Sequence, residues 1–141
     1  MNSQQISLVQ STFDQVRPIG VVAADLFYGR LFILDPSLRP MFKGDMAHQG
    51  RMLMSMLSSA VNGLTRLDTL VPVARQLGAR HATYGVRDEH YATVGSALLW
   101  TLEQGLGDHF TSEVRAAWTA AYELLATTMQ AGATEAQLAA H

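Results

Sequence analysis

Apolar residues recur at helical spacing along nearly the whole chain, and no segment alternates apolar and polar positions as a half-buried strand would. The pattern predicts an all-α protein. The first helix follows a cap at Ser3, carries Ile6, Val9, Phe13 and Val16 on one face, and ends before Pro18. A second runs from about Ile19 to Leu34, and Asp35-Pro36 marks a restart, with Asp as cap and Pro in the first turn. The turn from Ser37 to Phe42 contains Pro40 and is expected to be short and 3₁₀-like. After Lys43-Gly44-Asp45, a helix from near Met46 aligns Leu53, Met56, Leu57, Ala60 and Leu64. A loop from Thr65 to Thr69 leads to a shorter helix bearing Leu70, Val73, Leu77 and His81. Beyond the break at Gly85 to Asp88, a long helix carries Tyr91, Val94, Leu98 and Leu102 and ends at Gly105-Leu106-Gly107-Asp108. Thr111 or Ser112 caps the last helix, whose stripe is Val114, Trp118, Ala121, Leu125 and Met129. Residues 130–141 are small and polar and are expected to fray.

Composition narrows the function classes. The 141 residues, 48% hydrophobic, are expected to form one domain over 1–141 with no room for a second of ordinary size. A formal charge of −2 provides no basic field for a phosphate backbone or an anionic bilayer, so neither nucleic acid nor membrane is expected as a partner. Only 16% of residues are charged, against roughly 25% in an average soluble protein, so much of the chain serves burial of core, subunit contact or cofactor. The absence of cysteine removes disulfides, thiolate nucleophiles, iron–sulfur clusters and cysteine-bound zinc, leaving His and carboxylate for any metal. The N-terminus lacks a signal peptide's basic start and apolar run, and a cytoplasmic location is expected. The longest uncharged stretches, Met52 to Thr65 and Tyr91 to Leu102, fall short of the roughly 18 residues that span a bilayer.

Three polar residues interrupt apolar faces. His81 continues the stripe of Leu70, Val73 and Leu77, so its imidazole points inward, either bonded within the core or bound to a metal. Gln49 lies four residues before Leu53 on the inward face of its helix, as a rim residue or a donor into the interior. Tyr28 sits within Leu26-Phe27-Tyr28-Gly29-Arg30-Leu31-Phe32, where a buried hydroxyl needs a partner, either a backbone carbonyl or a ligand. One imidazole and two neutral donors from three helices fit a single apolar cavity holding a metal cofactor. With no second inward ligand at metal spacing, a zinc or di-iron site is poorly supported, whereas haem needs a single protein ligand.

Four stretches then carry a resemblance. They are Leu26-Phe27-Tyr28 through Pro40-Met41-Phe42, Arg80-His81-Ala82-Thr83-Tyr84-Gly85-Val86, His90-Tyr91-Ala92-Thr93-Val94-Gly95, and Ala116-Ala117-Trp118-Thr119-Ala120-Ala121-Tyr122. In order and spacing the chain resembles the globins over about Ile6 to Met129. It is most similar to bacterial single-domain haemoglobins and the globin domain of flavohaemoglobins, with a C-terminal half also similar to neuroglobins. The resemblance implies a 3-over-3 helical sandwich around haem b, with His81 as iron ligand and Phe42 packed on the porphyrin. It makes Tyr28 and Gln49 the distal donors, with Leu53 beside the ligand, and places Leu77, Val86, Tyr91 and Val94 in the haem pocket. Lys43, Arg51, Arg80 and Arg87 become candidates for the haem propionates, although each is read first as an ordinary solvated surface charge.

The same resemblance implies reversible binding of O2, CO and NO by a monomer or homodimer. Gln49 is a far poorer iron ligand than imidazole, so an open sixth position is expected, and the neighbouring His48, rotated by about 100°, is expected to face the pocket mouth. Tyr91 matches a tyrosine that works with a late glutamate near the proximal histidine. Here that glutamate's place is Ala133, and the nearest acid, Glu135, is off-phase. Two further readings stand beside the gas binder: an NO dioxygenase served by an external reductase, since 141 residues hold no flavin domain, and a haem-based redox or gas sensor.

Overall fold

The computed structural model describes residues 1–139, and among them there are six α-helices and no strand. They are α1 (Ser3–Val16), α2 (Gly20–Leu34), α3 (Met46–Gly63), α4 (Leu67–Thr83), α5 (Asp88–Leu106) and α6 (Ser112–Ala139). Short 3₁₀ segments occupy Arg17–Ile19, Pro36–Met41 and Gly107–His109. None of the helices is long and apolar enough to cross a membrane.

The helices form two layers. In one, α3 touches both α1 and α4; in the other, α5 lies between α2 and α6. The layers meet where α1 and α4 pack on α6 and where α2 crosses α3. The core follows the predicted stripes: Val9, Phe13 and Val16 of α1 meet Val114, Ala117, Trp118 and Ala121 of α6, with Leu98, Leu102 and Leu106 of α5 beneath. The polar contact between α1 and α6 is closed, since Trp118 Nε1 donates to Thr12 Oγ1 at 2.9 Å and that hydroxyl donates to the Leu8 carbonyl at 2.6 Å.

Local chemistry sets the boundaries. Asn2, not Ser3, caps α1, because Gln5 three residues on returns the bond: Gln5 N–H donates to Asn2 Oδ1 at 2.8 Å and Asn2 N–H to Gln5 Oε1 at 3.1 Å. From Ser3 the reciprocating position would fall on Ile6, which has no acceptor. Asp35 caps the 3₁₀ turn and Asp45 caps α3 through the N–H groups of Ser37 and Ala47. The expected loop at residues 65–69 is shorter, because α4 begins at Leu67 with Asp68 in its first turn, where the helix dipole favours an acid.

At the other end, α6 runs as helix through Ala139, over the stretch where fraying is expected, and Gly132 is buried against the backbone of Arg75. Residues 140 and 141 of the expected tail lie outside the described residues.

Candidate functional site

The apolar stripes of α3 and α4 are only half-buried, because they face a cavity between the layers rather than each other. The cavity measures about 290 Å³. An apolar hole of roughly 150 Å³ already holds a benzene ring, and close-packed interiors otherwise leave few voids larger than a water molecule. The nine residues that the resemblance assigns to the haem pocket line it: Tyr28, Phe42, Gln49, Leu53, Leu77, His81, Val86, Tyr91 and Val94. Its exposed lining residues include Met41, Met56 and Val73, at 36%, 40% and 54% exposure, so its mouth is apolar.

His81 lies in the last turn of α4. Its Nδ1 is 2.8 Å from the Leu77 carbonyl oxygen. A carbonyl can only accept, so Nδ1 carries the proton and the neutral ring keeps its lone pair on Nε2. The helix ends immediately afterwards in a Schellman arrangement: Val86 N–H donates to the His81 carbonyl at 3.2 Å and Gly85 N–H to that of Ala82 at 3.1 Å. This turn needs a positive φ, and Gly85 supplies it at 85°. The reversal returns Val86 to the cavity beside His81.

Tyr28 and Gln49 approach from α2 and α3. These helices cross closely, with a Cβ at Gly50 falling 3.0 Å from that of Ala24. Tyr28 is buried among Phe27, Phe32 and Phe42, with ring centroids 5.0, 6.1 and 5.3 Å away. Burial pushes its phenol pKa up, and the nearby Gln49 side chain partly offsets the rise. The hydroxyl therefore stays protonated and available as a donor.

On the α5 side, the Tyr91 hydroxyl is buried without a hydrogen-bond partner. Glu135 does not reach it, since its carboxylate pairs with Arg75 at 3.4 Å on the surface. Tyr122 donates to the Tyr91 carbonyl at 2.6 Å instead, and burial drives the Tyr122 pKa upward.

His90 also lines the cavity and is buried, with Nδ1 accepting from Arg87 N–H at 2.9 Å. Spacing did not single it out, because the usual reciprocal cap pairs Ser or Thr with Glu or Gln. His48, Lys43, Arg51, Arg80 and Arg87 are exposed and do not line the cavity, and Arg87 pairs with Glu89 at 2.8 Å. Among the described residues no three His, Cys, Asp or Glu side chains converge as a metal site.

The two helical layers and the cavity between them define a globin-type sandwich. The family model named Globin matches residues 25–129, and the chain belongs to that family. Curated relatives include a protein named Flavohemoprotein from Chromobacterium violaceum, 30% identical over 92% of this chain and 33% of its own length. Another Flavohemoprotein, from Vibrio cholerae, is 31% identical over 89% of this chain and 33% of its own length. This chain therefore spans about a third of the length of the relatives it matches. Among solved structures, an engineered carbene transferase derived from a Rhodothermus marinus protein assigned as a nitric oxide dioxygenase superposes with a TM-score of 0.87. The match covers 99% of this chain and 97% of that one at 23% identity, a likeness of fold.

Proposed function

We propose that the cavity holds haem b and that the protein reversibly binds O2, CO and NO at the haem iron, with His81 as the protein ligand. The observation that carries this is the Leu77 carbonyl on His81 Nδ1, which leaves Nε2 as a free lone pair on a residue lining a large apolar cavity. The donor set fits haem. One neutral imidazole suffices because a porphyrin brings four nitrogens of its own, and the unpartnered Tyr91 hydroxyl adds a polar contact. The chain has no cysteine to attach the porphyrin covalently, which favours the b type.

When bound, the haem supplies an iron with one coordination position for a diatomic ligand. The chain's residues determine how firmly that ligand stays. Tyr28 donates from a site where burial keeps its proton, and Gln49, lining the same cavity, offers an amide of its own. Leu53 and Phe42 keep the surroundings apolar, which strengthens both donors. Gln49 is too weak a ligand to occupy the iron, and the only neighbouring imidazole on α3, His48, faces solvent, which supports an open position.

A second reading is favoured by the relatives named Flavohemoprotein and by the Rhodothermus marinus protein: NO dioxygenation, in which NO, O2 and one electron combine to nitrate. The electron would come from a reductase outside these residues. The test supplies a generic flavin reductase and a nicotinamide to the O2-loaded protein and follows NO. Repeated consumption establishes the dioxygenase, whereas one stoichiometric burst leaves the reversible binder.

A further inference from the structure

Gly78 and Gly132 make a reciprocal contact where α4 crosses α6. A Cβ on Gly78 would collide with the Met129 carbonyl, and a Cβ on Gly132 with that of Arg75. Both obstacles are backbone and cannot swing aside as a side-chain tip would. Both glycines are buried, and the Arg75–Glu135 ion pair spans the same crossing. Gly78 directly follows Leu77, whose carbonyl holds the His81 ring, and precedes His81 by three residues.

The Nδ1 hydrogen bond that orients the ring is made within α4 itself. The position of Nε2 in the cavity is therefore the position of α4. Toward α3 that helix faces the cavity, so its firm seat is α6, and the glycine pair sets how closely it sits there. We propose that Gly78 and Gly132 are positioning residues: a backbone clasp that fixes the reach and tilt of His81 toward the metal it ligates. The proposal rests on the haem reading above. Metal–ligand distances hold to about 0.2 Å, so a methyl group that lifts α4 off α6 alters the iron–histidine bond even if the fold survives.

The test uses haem-loaded protein and the iron–histidine stretching frequency of the reduced, ligand-free state. Gly78→Ala and Gly132→Ala are each expected to shift that frequency and to release haem about 10-fold faster or more. Phe13→Leu, a core change outside the cavity, should lower the melting midpoint without moving the iron–histidine frequency. In a His81→Gly background with free imidazole as ligand, the tether to α4 is gone, and adding Gly78→Ala should leave the frequency unchanged. An unshifted frequency in both glycine variants, or a shift that persists with free imidazole, overturns the clasp. If neither alanine variant folds, hydrogen exchange on the wild type decides: amides of residues 76–79 and 129–133 are expected to exchange at one common slow rate, and separate rates overturn the proposal. A haem-loaded wild type with a measurable frequency separates failure of the clasp from failure of the haem assignment.

Discussion

The Leu77 carbonyl accepts a 2.8 Å hydrogen bond from His81 Nδ1, and this contact fixes which ring nitrogen is free. Leu77 lies one turn before His81 on α4, so the tautomer is set by the helix and does not depend on a distant acid. The acid that the flavohaemoglobin resemblance leads one to look for is absent from the pocket, since Ala133 stands in its place and Glu135 pairs with Arg75. With haem bound as proposed, His81 is expected to ligate without the added electron donation of a carboxylate partner.

Removing that imidazole tests the assignment. His81→Ala should abolish stable haem retention and lower the unfolding midpoint, because a ligand bound only by the native state stabilises it by linkage. Haem content per chain, measured after gel filtration, checks this, and a content equal to the wild type contradicts the role given to His81.

Tyr28→Phe removes one donor at nearly constant volume. The loss of about 1–3 kcal/mol should speed O2 release by about 5- to 150-fold with little change in the association rate. Because Tyr28 and Gln49 line one cavity and Gln49 acts on the Tyr28 phenol, adding Gln49→Leu should cost less than the sum of the single changes. Stopped-flow dissociation on the four proteins measures both effects.

Alkaline pH should destabilise the fold through its buried phenols. Tyr28, Tyr91 and Tyr122 all have pKa values raised by burial, so the native state keeps protons that the unfolded chain releases above about pH 10. Their contribution is intact below that value and is lost as the pH climbs toward the folded-state values. Tyr122→Phe should flatten this decline, while costing about 1 kcal/mol at neutral pH through the lost bond to the Tyr91 carbonyl. Urea unfolding at about pH 8 and about pH 11 distinguishes the two effects.

Thr12→Val keeps the volume of a buried residue but leaves Trp118 Nε1–H unpaired between α1 and α6, at a cost of about 1–3 kcal/mol. Trp118→Phe in the same chain removes the orphaned donor, so the double variant should lose less stability than the two single losses added together. Thermal or urea unfolding of the four chains reads the coupling directly.

The helices and nearly all their breaks were legible because stripes such as Val9, Phe13 and Val16 and caps such as Asp35 and Asp45 act locally. Periodicity also placed Tyr28, Gln49 and His81 on inward faces, and the structure brings them to one cavity. Spacing shows which face is apolar but not what covers it, so Met56 and Val73 read as core although they border a cavity. The last turns of α6 are hard to read for a related reason. Small residues look like a frayed end, yet smallness at Gly132 is what lets α6 lie against α4. His90 escaped notice because its role as a backbone acceptor depends on the turn at Arg87 and leaves no periodic trace.

The most direct test of the central claim is the absorption spectrum of the purified protein as isolated, after reduction and after addition of CO, with haemin titrated in if the protein is colourless. With His81 as the one protein ligand, haem uptake, a five-coordinate reduced spectrum and full conversion by CO are expected, since His48 is exposed and outside the cavity lining. A six-coordinate reduced spectrum, or no uptake of haemin, would contradict that claim.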